Sequence, residues 1–169
     1  MQNRTVIILG SARSNGNTRS VTAYACQLIS ADIIDLKEYQ IGKFDYEFAN
    51  ANDDFLPLMR RILSDYDRII LASPVYWYTV SATMKTFMDR FSDLLGPHKA
   101  LGRQLRGKSL GLISCGPQND CPPSYAEPIA LSADYLGMDY LGHVHTWSGG
   151  GEIPDLAKTA LKSWIENLP

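Results

Sequence analysis

A chain of 169 residues and 18.8 kDa is long enough to bury one sizeable core, and residues 1–169 are read as a single domain. A net charge of −2 and a sequence pI of about 5.9 give no electrostatic footprint for nucleic acid, and no run of five or more cations points to an anionic membrane surface. The amino end leads into only four apolar residues, too few for a signal-peptide core, and no apolar stretch nears the roughly 18 residues of a spanning helix, so a cytoplasmic protein is expected.

Five short apolar runs alternate with amphipathic segments. Val6-Ile7-Ile8-Leu9 ends at Gly10. Behind Asn17-Thr18, residues suited to cap a helix, Val21, Ala25 and Leu28 recur at helical spacing. Ile33-Ile34 belongs to a weaker second run ending at Asp35. Phe55, Met59, Ile62, Leu63 and Tyr66 form an apolar stripe behind Asp53-Asp54. Ile69-Ile70-Leu71-Ala72 runs into Ser73-Pro74, and a stripe of Val80, Met84, Phe87, Met88 and Phe91 follows around Ser81. Leu110-Gly111-Leu112-Ile113 ends at Ser114-Cys115-Gly116. A helix over about residues 124–136 meets Pro128, which favours a start near Glu127 and a stop at Gly137. The fifth run covers about residues 140–147 and stops at Ser148-Gly149-Gly150-Gly151. Ala157, Leu161, Trp164 and Leu168 make the last stripe, with Pro154 in its first turn.

Near-continuous apolarity, rather than alternation, marks strands buried on both faces. Strands alternating with helices imply right-handed crossovers and a parallel sheet covered on both sides. The expectation is a doubly wound α/β three-layer sandwich with a five-stranded parallel sheet in the order 2-1-3-4-5. Its ligand crevice lies beyond the carboxyl ends of strands 1 and 3. Function is expected in the loops after strands 1, 3 and 4, and residues 96–107 read as a long loop.

The first of those loops, Gly10-Ser11-Ala12-Arg13-Ser14-Asn15-Gly16-Asn17-Thr18, offers backbone N–H groups, hydroxyls and a helix N-terminus to one phosphate. Arg13 adds a planar fork of donors. Charge-assisted bonds from Arg13, Ser11 and Thr18, at about 1.5–3 kcal/mol each, outweigh the helix dipole's roughly 0.3–1 kcal/mol. A Walker loop would need lysine where Asn17 stands, and a dinucleotide loop would need glycine where Ala12 stands. After strand 3, Ser73-Pro74-Val75-Tyr76-Trp77-Tyr78-Thr79 puts three aromatics in a row at the sheet's edge. They form either a core lid or a face for a flat ligand.

These two loops, with the run Ser81-Ala82-x-Met84-Lys85-x-Phe87-x-Asp89-Arg90, resemble the NADPH-dependent FMN reductase family of flavodoxin-like oxidoreductases. The resemblance implies FMN as cofactor and NADPH or NADH as electron donor. It implies the FMN phosphate on the first loop (Ser11, Arg13, Asn17 and Thr18, with Asn15 and Gly16 in the same turn). The isoalloxazine is then expected against Pro74, Val75, Tyr76 and Trp77, and against Ser114, Cys115 and Gly116 after strand 4. It also implies a homodimer, to which Trp77, Tyr78 and residues 96–107 are suited. The expected activity is a ping-pong reduction of a small acceptor such as a quinone, a nitro or azo compound, or free flavin, with no catalytic side chain. A flavodoxin-type electron carrier is the alternative. A phosphate-ester enzyme would need a C-x-x-x-x-x-R loop, which is missing here. One subgroup of the family holds an iron–sulfur centre on cysteines after strand 2, yet residues 39–54 contain none.

Cys26, Cys115 and Cys121 are read as reduced thiols, their number and spacing fitting neither a disulfide framework nor a metal site. Gln118 and Asn119 are read either as contacts to the ring's polar edge or as turn residues. His143 and His145 share one face of the last strand. A metal there would need further ligands, and none is patterned around them, so they are read as a packed pair.

Overall fold

The computed structural model of the protein describes residues 4–149 and 151–169. Residues 1–3, the head of the amino-terminal lead-in, and Gly150, the middle of the glycine run, lie outside the described residues. Strands β1 (Thr5–Leu9), β2 (Ala31–Asp35), β3 (Arg68–Pro74), β4 (Ser109–Gly116) and β5 (Asp139–Trp147) form a parallel sheet in the order β2-β1-β3-β4-β5. The connecting helices are α1 (Asn17–Leu28), α2 (Phe55–Asp65), α3 (Ala82–Asp89), the four-residue α4 (Lys99–Gly102), α5 (Glu127–Leu136) and α6 (Asp155–Glu166). This is the flavodoxin-like three-layer sandwich that the alternating runs and stripes predict.

The apolar runs explain the layering. β1 and β3 are buried along their whole length, so successive side chains feed opposite cores. Val6, Ile8 and Leu71 pack with Phe55, Met59 and Ile62 of α2, Met84 and Phe87 of α3, and Ile129 of α5. Ile7, Leu9 and Ile70 pack with Val21 and Ala25 of α1 and with Leu161 and Ile165 of α6. Each fully buried Leu, Ile or Phe contributes roughly 1.5–3 kcal/mol. β1, β3 and β4 run in step, Leu9 beside Ala72 and Pro74 beside Cys115, which brings their carboxyl ends to one edge.

Several local expectations change. α1 is headed by Gly16 in extended backbone without a side-chain cap, so Asn17 and Thr18 stand inside the first turn rather than capping it. Pro154 is the N-cap residue of α6, one place ahead of its first turn. Residues 96–107 are no bare loop, for α4 and a 3-10 turn at Arg103–Leu105 occupy them. Elsewhere the chemistry of the caps holds. Ser81 Oγ accepts the Met84 N–H at 3.0 Å, and α5 starts at Glu127 and stops at Gly137 with φ 71°.

Two features outside the regular layers matter later. β5 carries an extra residue, because Leu110 pairs with Tyr140 while Leu112 pairs with His143, and Gly142 absorbs the bulge with φ 83°. Arg90, 1% exposed, sits between Asp53 and Asp93 and donates to the carbonyls of Gly42 (3.1 Å) and Asn50 (3.2 Å). Its guanidinium also lies 4.8 Å from the centre of the Phe55 ring. That knot holds the segment between β2 and α2.

Candidate active site

The loops at the carboxyl edge enclose a cleft of about 340 Å³. Ser11, Arg13, Gly16, Asn17 and Thr18 line it from the first loop. Pro74, Val75 and Tyr76 line it from the loop after β3, and Cys115, Gly116 and Pro117 from the end of β4. Ten of the thirteen residues that the sequence assigns to the cofactor therefore face one cavity, joined by Pro117, which that reading passes over.

One main-chain bond and two serine hydroxyls hold the two loops together. The Gly10 N–H donates to the Ala72 carbonyl at 2.9 Å. Ser81 Oγ donates to the Gly10 carbonyl, while the Ser81 N–H donates to Ser73 Oγ at 2.9 Å. Only glycine suits this junction, since a Cβ at Gly10 would lie 2.8 Å from Met84 Cβ and Cε. Within the turn, Ser11 Oγ accepts the Arg13 N–H at 3.3 Å, and Lys37 Nζ donates to the Ala12 carbonyl at 3.0 Å. Asn17 Nδ2 donates to the Ser148 carbonyl at 3.0 Å, fastening the head of α1 to the end of β5. The first N–H groups of a helix have no partner within it, and here that end borders the cleft. Arg13 stays exposed beside it.

The aromatic segment closes as a tight turn, the Tyr76 and Thr79 N–H groups each donating to the other's carbonyl at 3.0 and 3.1 Å. Trp77 and Tyr78 take left-handed backbone, φ 51° and 62°, a conformation that disfavours L-residues by roughly 1–2 kcal/mol each. The turn throws Trp77 outward, 93% exposed, so it does not line the cleft with Tyr76 as expected. Asn15 is likewise exposed at the tip of its turn and stands outside the lining.

Ser114 is the third departure, and strand alternation explains it. Cys115 faces the cleft and the α1 side, its thiol pushed up from the usual range by burial, with Thr146 and Thr18 hydrogen bonds opposing. Ser114 points through the other face, fully buried, and its Oγ lies 2.7 Å from His143 Nε2 and 2.8 Å from His145 Nδ1. The bulge at Gly142 is what turns His143, His145 and Trp147 to this side. His145 Nε2 is 2.9 Å from the Gln118 carbonyl, which only accepts, so Nε2 carries a proton and Nδ1 is the nitrogen turned toward Ser114. Ser114 Oγ then donates to His145 Nδ1 and accepts from His143 Nε2. Burial, with His145 beside it, holds the His143 imidazole down at about 4. Cys121, from the loop after β4, completes the group, its ligand atom and those of both histidines lying within 4.8 Å of one another. Sequence spacing conceals this meeting; the one signal is a glycine, Gly142, interrupting an apolar strand.

The NADPH-dependent FMN reductase family model matches residues 3–141. YwqN of Bacillus subtilis (strain 168), named an NAD(P)H-dependent FMN-containing oxidoreductase, is 29% identical over 150 residues, 82% of this chain and 81% of that one. Among solved structures, the Trp repressor binding protein from Bacillus subtilis is 25% identical with a TM-score of 0.76, covering 98% of both chains. An FMN-dependent NADH-azoreductase from Bacillus anthracis, solved with FMN, shares the fold at 12% identity and a TM-score of 0.68. That match covers 98% of this chain and 96% of the other. Among the described residues no helix is long and apolar enough to cross a membrane.

Proposed function

The chain belongs to the NADPH-dependent FMN reductase family, and from that premise we propose that it draws electrons from NADPH or NADH and passes them to a small acceptor in a ping-pong cycle. The acceptors that suit this reading are quinones, nitro and azo compounds, and free flavin. FMN is the cofactor of the family and NAD(P)H-dependent oxidoreduction its activity. The single observation that carries the reading is the meeting of the first loop and the Pro74–Tyr76 wall in one open cleft.

The cleft fits FMN on its own chemistry. One end presents Arg13, the Ser11 and Thr18 hydroxyls and the head of α1, a donor set matched to a phosphomonoester. The other end presents Pro74, Val75 and Tyr76, an apolar wall that shares the cleft with Cys115 and Gly116. When bound there, FMN would supply reversible hydride chemistry. The chain's part is to grip, orient and exclude. Arg13 and the α1 terminus fix the charged tail, and the Ser73–Ser81–Gly10 bonds keep the two walls in step. Cys115, buried with a raised thiol pKa, stays protonated and takes no redox part. Donor and acceptor use the remaining open side in turn. Trp77, Tyr78 and residues 96–107 supply the contact surface for a homodimer in this reading, and the cytoplasm is its compartment.

The test begins with colour. The purified protein is expected to be yellow, to release FMN on denaturation, and to bleach with NADPH or NADH under anaerobic conditions. A quinone or azo dye then restores the colour, and initial rates give parallel double-reciprocal lines. Intersecting lines would discard the ping-pong order. A protein that binds no FMN from excess would discard the reading as a whole. Light scattering at the mass of two chains tests the dimer.

A further inference from the structure

We propose that Cys121, His143 and His145 form a binding site for a zinc-class divalent cation, on the face of β4 opposite the flavin cleft. Three donors from two separate segments, the loop after β4 and strand β5, converge there. The ligand atoms already lie within 4.8 Å of one another, while a tetrahedral zinc with S at about 2.3 Å and N at about 2.0–2.1 Å needs them about 3.3–3.6 Å apart. Small side-chain rotations close that gap.

The surroundings are those of a metal site. Both imidazoles aim a nitrogen at one point, now marked by Ser114 Oγ. His145 is oriented by donating its far N–H to the Gln118 carbonyl, the outer bond that fixes tautomer and ring direction in metal-ligating histidines. Trp147 stacks on that ring at 6.2 Å and Tyr125 packs against His143 at 5.6 Å, so both rings are braced. The Cys121 sulfur makes only long contacts, 4.0 Å to Ser114 Oγ and 3.9 Å to the Pro122 carbonyl, which leaves its soft donor without a strong partner. Pro117 and Pro122 flank the loop that carries it, and Asp120 adds negative charge next to it.

The donor set selects the ion. Two imidazole nitrogens and a thiolate suit zinc and its borderline neighbours, whereas magnesium and calcium need oxygen donors that the cluster lacks. On binding, Cys121 releases its thiol proton, and the His143 proton moves from Nε2 to Nδ1 so that Nε2 faces the ion. The ion then holds a thiolate and two neutral imidazoles, with the fourth position left to water or to the Ser114 hydroxyl. Because Gln118 and Cys121 belong to the loop leading out of Gly116, the ion pins the back of the cleft wall to β5.

The FMN-bound protein, stripped with a chelator and returned to metal-free buffer, is titrated with CoCl2 and then with ZnCl2. The expected result is saturation at one equivalent. A thiolate-to-cobalt charge-transfer band appears in the near ultraviolet, read as a difference spectrum against the metal-free protein because the flavin absorbs there too, tetrahedral d–d bands appear to the red of flavin absorption, and zinc abolishes both. Cys121→Ser removes the charge-transfer band, His143→Gln and His145→Gln each weaken binding by at least the roughly 10–100-fold that loss of an outer partner of a ligand costs, and Cys26→Ser changes nothing. Circular dichroism and retained flavin report the fold of each variant. Should the histidine variants fail to fold, the sulfur band in Cys121→Ser decides alone. Absence of saturable binding, or an undiminished band in Cys121→Ser, overturns the site and leaves a hydrogen-bonded packing cluster. Neither outcome touches the flavin assignment, which the yellow colour reports separately.

Discussion

Ser114 and Cys115 are adjacent on β4, yet their side chains serve two regions built on different plans. Cys115 borders the cleft, assembled from loops that each follow directly on a strand, so that most of its contributors are consecutive in the chain. Ser114 is the centre of a polar cluster whose members, Cys121, His143 and His145, meet only through the pairing of β4 with β5 and the extra residue at Gly142. The cleft is a product of topology, which places ligand crevices at a strand-order reversal. The cluster is a product of register, which a single added residue inverts.

Four experiments separate the two plans. Arg13→Ala is expected to weaken FMN binding by at least about 2 kcal/mol, roughly 30-fold, through loss of a charge-assisted pair, with little change in stability because the side chain is exposed. Equilibrium dialysis measures it, and a loss under about threefold would hand the phosphate to the backbone of α1 alone. Ser114→Ala acts on the other region. It strands two imidazole nitrogens in a part-buried site and should lower unfolding free energy by about 1 kcal/mol in urea while flavin affinity stays near wild type. A large drop in flavin affinity would return Ser114 to the cofactor side.

Acid gives a third, smaller effect. The His143 imidazole is held down at about 4 against an ordinary 6.5, so the folded state binds fewer protons than the unfolded one between those values. Its contribution to stability is complete above pH 6.5 and is lost as pH falls toward about 4. His143→Gln should flatten the stability profile across that window, and an unchanged slope would place the titration elsewhere. The smallest effect is expected at the aromatic turn. Tyr78→Gly relieves a left-handed backbone, φ 62°, and should raise stability by up to about 1 kcal/mol, as thermal unfolding would show.

The chain's legibility follows the same division. Apolar runs and stripes name all five strands and five of the six helices, because strands buried on both faces and amphipathic helices write their surroundings into composition. The missing helix, α4, has only four residues and no stripe to announce it. Cleft-lining residues in the first loop are readable because small, polar and cationic residues cluster between a strand and a helix. The three expected residues outside the cleft lining are placed by geometry beyond composition: Asn15 and Trp77 sit at turn tips, and Ser114 points through the sheet. His143 and His145 are rightly placed on one face, but the arrival of Cys121 beside them depends on a loop path that leaves no mark in sequence.

The knot at Arg90 ties down the cysteine-free stretch at residues 39–54, where the family resemblance implies an iron–sulfur centre in one subgroup. Here a guanidinium, two carboxylates and two carbonyls brace the polypeptide instead of inorganic sulfide. Such a brace is indifferent to air and to oxidants and requires no assembly machinery. Its weakness is acid: the Arg90 guanidinium and the Phe55 and Gly42 N–H groups, outweighing the opposing effect of burial, hold the Asp53 carboxyl below its usual range, and protonating that carboxyl loosens the tie. In this chain, then, the path of residues 39–54 answers to protons.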